Sequence, residues 1–467
     1  MKINRFILII CLFGPCILRG EPTDYAVVEN RGSHGIPLLL AEDYRLDFKH
    51  PFELQARGGI SHVILKMERE RELTIAYLGG SITMAENGWR PRFTRWLRKE
   101  YPEVKITEVN AAINGTGADF GAARLGQDVL KYKPDLLFVE FVVNGGDAGV
   151  KDGLERAIEG IVRQTRITNA RTDIIFVNTL LESQIKGYLA DGPPKIPAAA
   201  QAHEKVADYY GIPSISLGCQ IGALSQQGQL VGKSNMDLPG KIVFSRDGVH
   251  PTDDGAQLYA GAVVRSWLKL KGVTKNPADR SPLREPLHQD NWEGAKLYAP
   301  TYAKTSGSWN WHTMDTQSPH YASTFPESGQ NVGIIKSMFP MLLGTQTPGS
   351  SLTIKFRGTI VGLVDVGGPF SGQLLAEIDG APPVVVSRFG SYNRHLRQQY
   401  FFLPELREGS HEVKFTLDHQ MPDKSGVSES IHQPKQYQRN EFYLGNIIIV
   451  GEGVESEDTN RNSGEKR

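Results

Sequence analysis

Two short stretches of the chain carry residue types that together could perform acyl transfer. Gly79-Gly80-Ser81-Ile82-Thr83 closes an apolar run at 73–78. Its two glycines let the backbone turn sharply and leave the next side chain clear, so Ser81 would project from the end of a strand. Thr83 stands where a Gly-x-Ser-x-Gly elbow needs its last Gly, so an ordinary α/β-hydrolase elbow is not indicated. Asp247-Gly248-Val249-His250-Pro251 lies far downstream. Asp247 could accept a hydrogen bond from His250 Nδ1 and fix its tautomer, which frees Nε2 to take a proton from Ser81. Each motif alone has a plainer reading. Gly-Gly-Ser is a routine turn, and Asp-x-x-His is a capping Asp beside a surface His.

Placement decides between these readings. From 73 to 272 apolar runs at 73–78, 106–112, 136–143, 174–181 and 212–217 alternate with helical stretches at 89–100, 120–132, 154–168, 198–210 and 254–270. The runs are short, mostly rich in Val and Ile, and barely alternate, as strands buried on both faces do. Five strands interleaved with helices imply an α/β, doubly wound, three-layer sandwich around a five-stranded parallel sheet. Ligand sites in such folds lie beyond the carboxyl ends of the strands. Ser81 follows the first strand, and the Asp247–His250 loop precedes the last helix.

With these blocks in place, the segment resembles the SGNH (GDSL-like) hydrolases, whose fold is flavodoxin-like. The first block matches at Ser81 and the fifth at Asp247 and His250. The second is similar at Asn110-Ala111-Ala112-Ile113-Asn114-Gly115, and the third at Val139-Glu140-Phe141-Val142-Val143-Asn144. The resemblance implies a Ser81–His250–Asp247 triad and an oxyanion hole formed by the backbone N–H groups of Ser81 and Gly115 and the amide of Asn144. It implies ester hydrolysis through an acyl-enzyme, with no metal or cofactor. Two positions depart from the family pattern. Gly80 replaces the Asp of Gly-Asp-Ser, and Asn144 is followed by Gly145-Gly146-Asp147 rather than directly by Asp.

Other residues invite competing readings. Trp89-Arg90, just past the nucleophile turn, could stack on a sugar and contact a polar substrate, or could begin a helix packed on the core. Asp119 and Arg124 could form a structural ion pair. His203 suits a surface or internally satisfied histidine. Gly115-Thr116-Gly117-Ala118-Asp119-Phe120-Gly121 superficially suggests a nucleotide loop, but its last spacing is one residue too long and it follows the second strand. Trp292, Trp309 and Trp311 could line a carbohydrate surface, though core packing is the default for aromatics in a β-rich region.

Composition narrows the partners. Lys+Arg and Asp+Glu are equal at 52 each, so no global field draws the chain to nucleic acid or an anionic membrane. Lys2 and Arg5 precede an apolar stretch at 6–18, the pattern of an export signal over 1–20. That suggests a secreted or periplasmic protein. Cys16 raises a lipid anchor, which Pro15 before it fits poorly. Of three cysteines, only Cys219 lies past the signal, and one thiol cannot bridge internally. An N-terminal extension (21–70) precedes the hydrolase domain (71–275). A polar, proline-containing stretch (276–305) suggests a linker. Short runs at 351–356, 360–366, 374–378, 383–389, 398–403, 412–417 and 443–450 suggest a β-sandwich (306–452), jelly-roll-like, with a hairpin signal at Asp379-Gly380. The charged end (453–467) has a disordered composition.

Exported SGNH enzymes with an attached β-sandwich resemble esterases that remove acetyl groups from polysaccharides, which makes an acylated carbohydrate the expected substrate. The competitors are a lipase or broad acyl esterase on small or lipid esters, and a non-catalytic glycan-binding protein.

Overall fold

The computed structural model describes residues 43–189, 192–272, 283–325, 332–427 and 434–454. The export signal at 1–20 lies outside the described residues. So do the start of the extension, positions 273–282 and the tail beyond 454.

The first sheet has six strands: β1 (Leu54–Gln55), β2 (Glu72–Gly79), β3 (Lys105–Asn110), β4 (Leu136–Glu140), β5 (Asp173–Asn178) and β6 (Ser214–Ser216). Their order is β1-β6-β5-β4-β2-β3. The five expected strands are parallel to their neighbours. β1 is an antiparallel addition at the edge, pairing Leu54 with Ile215. It comes from the extension and is too short to leave a pattern in the sequence. Beside it the Glu53 carboxylate meets Arg265 at 2.5 Å, both side chains buried.

Helices α1 (Ser61–Glu70), α2 (Ser81–Met84), α3 (Trp89–Glu100), α4 (Ala118–Asp128), α5 (Gly153–Thr168), α6 (Ala198–Tyr210), α7 (Gly218–Gln226) and α8 (Asp253–Gly272) complete the domain. The pleat sends successive side chains to opposite faces. Ile75 and Tyr77 join Phe93 and Leu97 of α3 and Val263 and Trp267 of α8 in one core. Ala76 and Leu78 join Phe120 of α4 and Ile158 and Ile161 of α5 in the other. These are the three expected layers. β2 lies between β3 and β4, so the chain crosses over it and reverses direction across the sheet. Such a switch point opens a crevice at the carboxyl ends of the strands. A small parallel pair, β7 (Leu230–Lys233) and β8 (Ile242–Ser245), leads the chain to Asp247.

The C-terminal half is antiparallel β. Its strands are β9 (Ala295–Tyr298), β10 (Lys304–Ser306), β11 (Asn310–Thr313), β12 (Met341–Thr345), β13 (Ser351–Gly367), β14 (Gln373–Ile378), β15 (Val384–Ser387), β16 (Arg397–Phe402), β17 (Gly409–Leu417) and β18 (Phe442–Gly453). They form the expected β-sandwich, its strands joined in one continuous hydrogen-bonded network. The reason lies in β13, expected as two runs but formed as one long strand. Residues 351–358 pair with β17 and residues 362–367 with β16. A register irregularity at Gly358, whose φ is 156°, bends the strand between them. Asp379 and Gly380 both take positive φ in the turn joining β14 to β15, as the hairpin signal indicated.

The stretch read as a linker is structured from 283 onward. Glu159 of α5 accepts the backbone N–H groups of Leu287 and His288. Trp292 is fully buried, and a Cβ on Gly160 would stand 2.5 Å from the Trp292 carbonyl carbon. β9 then pairs with β18. Consequently Phe120 and Ile161 share one hydrophobic core with Trp292, Tyr443 and Ile448 of the β half. Polarity and proline suggested a tether here. Glu159 and the aromatic seam make it a fixed joint.

Candidate active site

Ser81 is the first residue of α2, immediately after β2. Two glycines are required to place it. A Cβ on Gly79 would lie 2.8 Å from the Glu140 carbonyl oxygen, and one on Gly80 would lie 2.1 Å from Asn144 Oδ1. Gly80, which stands where the family pattern has Asp, leaves the space that the Asn144 amide fills here. The turn rests on a buried carboxylate. Glu140 Oε2 accepts the Thr83 hydroxyl at 2.8 Å, and Oε1 accepts that of Thr179 at 2.7 Å. Burial pushes the Glu140 carboxyl up, opposed by those two hydroxyls and the Gly80 N–H.

Ser81 Oγ is 2.8 Å from His250 Nε2. His250 Nδ1 is 2.6 Å from Asp247 Oδ2. The other carboxylate oxygen, Oδ1, accepts the N–H groups of Val249 and His250, each at 2.8 Å. The Ser245 hydroxyl lies 3.0 Å from the same oxygen. Burial pushes the Asp247 carboxyl up, but these hydrogen bonds, led by that of the His250 ring, outweigh it and hold the group well below the usual carboxylate range. Asp247 therefore stays charged and can orient the imidazole. The His250 and Asp247 side chains are about half exposed, so the site opens to solvent.

The second and third blocks arrive beside this turn. The loop after β3 is pinned against β2 by bonds from the Ala111 N–H to the Tyr77 carbonyl and from the Ile113 N–H to that of Gly79. Gly115 sits there with φ of 67°. Asn144 lies against Gly80, whose would-be Cβ is also 3.6 Å from the Thr116 carbonyl. The departure after Asn144 has a steric cause as well. A Cβ on Gly146 would lie 2.5 Å from Asp119 Oδ1 and 2.6 Å from the Gly117 Cα. Gly145-Gly146 lets this loop close on the neighbouring one, and the Ala118 N–H reaches the Gly145 carbonyl at 2.8 Å.

The substrate-contact reading of Trp89 and Arg90 and the pairing of Asp119 with Arg124 are corrected, while His203 takes the internally satisfied reading. Trp89 does not face a substrate. It is fully buried, edge-on to Tyr77 and Phe138. Arg90 is buried too, with Nε donating to the Thr83 carbonyl at 2.9 Å and the guanidinium bonded to Glu108. Both brace the helix after the Ser81 turn, because an apolar sheet face lies directly beneath it. Arg124 pairs with Asp128 rather than Asp119. Asp119 instead accepts from the Tyr400 hydroxyl, and from the Phe120 and Ala148 N–H groups. His203 is buried, with Nδ1 at 2.8 Å from the Ala199 carbonyl, and desolvation lowers its pKa to about 4. Of the tryptophans, Trp292 is core, while Trp311 is exposed.

Sequence reasoning missed the contribution of β16. Tyr400 and Gln398 bond to the Gly115 loop, and Arg397 Nη2 lies 3.9 Å from the Cβ position of Gly115. A cleft of about 630 Å³ runs alongside, lined by Asp119, Asn144, Gly146, Tyr400, Phe401 and Phe402. It touches Asn144 but not Ser81, Asp247 or His250, so it adjoins the serine without containing it.

The fold of the α/β domain is that of the SGNH class of hydrolase. Residues 77–258 match the family model of the GDSL-like Lipase/Acylhydrolase family. The α/β domain is thus a GDSL-like lipase/acylhydrolase domain, and the chain is a carboxylic ester hydrolase. Among solved structures, it is similar to a two-domain esterase active on acetylated mannans, co-crystallised with mannopentaose. The match has a TM-score of 0.62 at 19% identity and covers 89% of this chain and 99% of that one. A second structure of a two-domain esterase active on acetylated mannans matches with a TM-score of 0.63 at 20% identity, covering 86% of this chain and 98% of that one. At such identities the likeness establishes the two-domain fold. No curated protein matches the sequence. Among the described residues no helix is long and apolar enough to cross a membrane.

Proposed function

We propose that the protein is an exported serine esterase that removes acetyl groups from carbohydrates, with Ser81 as nucleophile, His250 as general base and acid, and Asp247 as its orienting partner. The observation that carries this reading is the unbroken relay from Ser81 Oγ to His250 Nε2, and from Nδ1 to Asp247. Ser81 Oγ attacks the ester carbonyl as His250 takes its proton. Negative charge builds on the carbonyl oxygen, where the N–H groups of Ser81 and Gly115 and the Asn144 amide donate to it. His250 then protonates the sugar's ester oxygen as its bond to the carbonyl carbon breaks, which releases the sugar hydroxyl and leaves acetyl-Ser81. A water molecule, deprotonated by His250, attacks that ester, and acetate departs as Ser81 recovers its proton.

The carbohydrate assignment draws on the two-domain relatives, which act on acetylated mannans. The open setting of His250 and Asp247 suits a bulky leaving group. Export draws on Lys2 and Arg5 ahead of the apolar stretch. The test is acetate release from a panel of acetylated mannans, xylans and other polysaccharides by the wild type and Ser81→Ala. Release by the wild type alone supports the reading. A folded wild type that releases acetate from none of them, yet cleaves lipid or small acyl esters, overturns the carbohydrate assignment.

A further inference from the structure

Strand β16 presents alternate residues to the hydrolase domain, as the two-residue period of a strand requires. Gln398, Tyr400 and Phe402 face it, while Gln399 and Phe401 turn back into their own domain towards Asp365 and Phe415. Phe402 stands edge-on to Trp292, and the Tyr400 ring stacks on Phe120 with centroids 4.8 Å apart. Those two contacts are ordinary packing. The polar contacts are more pointed, because they end on backbone groups on either side of Gly115. Gln398 Nε2 donates to the Asn114 carbonyl at 3.0 Å. The Tyr400 hydroxyl accepts the Gly117 N–H at 3.1 Å and donates to Asp119 Oδ1 at 3.0 Å.

Asp119 carries the connection onward. Its side chain is buried, Oδ1 accepts the Phe120 N–H at 2.7 Å, and Oδ2 accepts the Ala148 N–H at 3.2 Å. Ala148 belongs to the loop that begins at Asn144. One carboxylate therefore spans the loop of Gly115 and the loop of Asn144, and one phenol from the other domain closes the join. We infer that Tyr400, acting through Asp119, is a positioning residue for the oxyanion donors, so that the β domain is a working part of the hydrolytic site. The inference rests on the proposed roles of Gly115 and Asn144. Burial and the adjacent Asp119 carboxylate push the Tyr400 phenol up, so it keeps the proton it donates.

The test is Tyr400→Phe, which keeps the ring stacked on Phe120 and removes only the hydroxyl. It is assayed on p-nitrophenyl acetate alongside Asn144→Ala and the double variant, with thermal unfolding to verify the fold. Loosened donors weaken transition-state binding more than ground-state binding. The expected result is a kcat lower by roughly 10- to 100-fold with KM nearly unchanged. It is also a loss that largely disappears when Asn144→Ala is already present, since both changes act on one oxyanion hole. A merely structural role would give no such split and no such coupling. Full turnover in Tyr400→Phe beside a large loss in Asn144→Ala overturns this inference alone, as does an equal loss in both backgrounds. Full turnover in Asn144→Ala overturns the oxyanion reading and this inference with it. Should Tyr400→Phe misfold, Gln398→Leu tests the same join from the Asn114 side, with the same split and the same coupling as the expected result.

Discussion

The loop carrying Asp247 and His250 and the pair of loops carrying Gly115 and Asn144 reach one serine by different routes. The first is nearly self-sufficient. Asp247 and His250 are three residues apart, Asp247 Oδ1 is held by the backbone of its own loop, and the side chains are about half exposed. The second is braced at a distance. Asn144 packs against the bare backbone of Gly80, its loop closes on the neighbour at Gly146, and the Gly117 N–H bonds to the hydroxyl of Tyr400, 283 residues away. A proton relay tolerates exposure if its few groups are held in line. An oxyanion site requires donors fixed before charge develops, and on the proposed roles of Gly115 and Asn144 the bonds that would fix them come from both domains.

The largest effects fall on the relay. Ser81→Ala removes the proposed nucleophile, and Asp247→Asn the proposed tautomer control, each expected to lower kcat by about 10⁴-fold or more, as measured on p-nitrophenyl acetate. Near-normal turnover in Asp247→Asn would break the idea that this loop is a relay at all. Next come the donors. Asn144→Ala is expected to cost about 10²–10³ in kcat. Gly80→Ala is expected to cost a similar order, about 10²–10³, because its Cβ displaces Asn144. Wild-type turnover in Gly80→Ala would detach Asn144 from the donor set.

The seam between the domains is expected to matter for stability rather than chemistry. Trp292→Ala should lower unfolding stability by about 3–5 kcal/mol, measured by urea denaturation, because it empties a fully buried site shared by both halves. The smallest effect is a pH dependence. Asp247 has a folded-state pKa depressed below its unfolded value, so it stabilises the fold above the ordinary carboxylate range, and that contribution disappears as pH falls through the depressed value. The stability advantage of wild type over Asp247→Asn should therefore shrink on acidification. An advantage that grows in acid would contradict the assigned direction.

How much of this was legible in the sequence followed the range of the contacts. The parallel strands announced themselves as short Val/Ile runs, and Ser81, Asp247 and His250 as local motifs at strand and helix ends. β1 was invisible because it is two residues long and pairs at an edge. Residues 283–305 looked like a tether because what orders them, Glu159 and the Gly160 surface, lies on a distant helix. Trp89 and Arg90 were ambiguous because an aromatic and a cation beside a nucleophile suit either a sugar or a core. The sheet face under α3 and the Glu108 partner decide for the core. Tyr400 had no signal, since nothing in Arg397–Phe402 distinguishes a strand that packs inward from one that reaches the neighbouring domain.

The central claim is that Ser81 is an activated nucleophile, and the most direct measurement is labelling of the folded protein with a serine-directed fluorophosphonate, with the adduct located by mass spectrometry. The account predicts a single adduct on Ser81 in the wild type, slower labelling in Asp247→Asn and none in Ser81→Ala. A folded wild type that resists the probe, or that is labelled elsewhere, would contradict it.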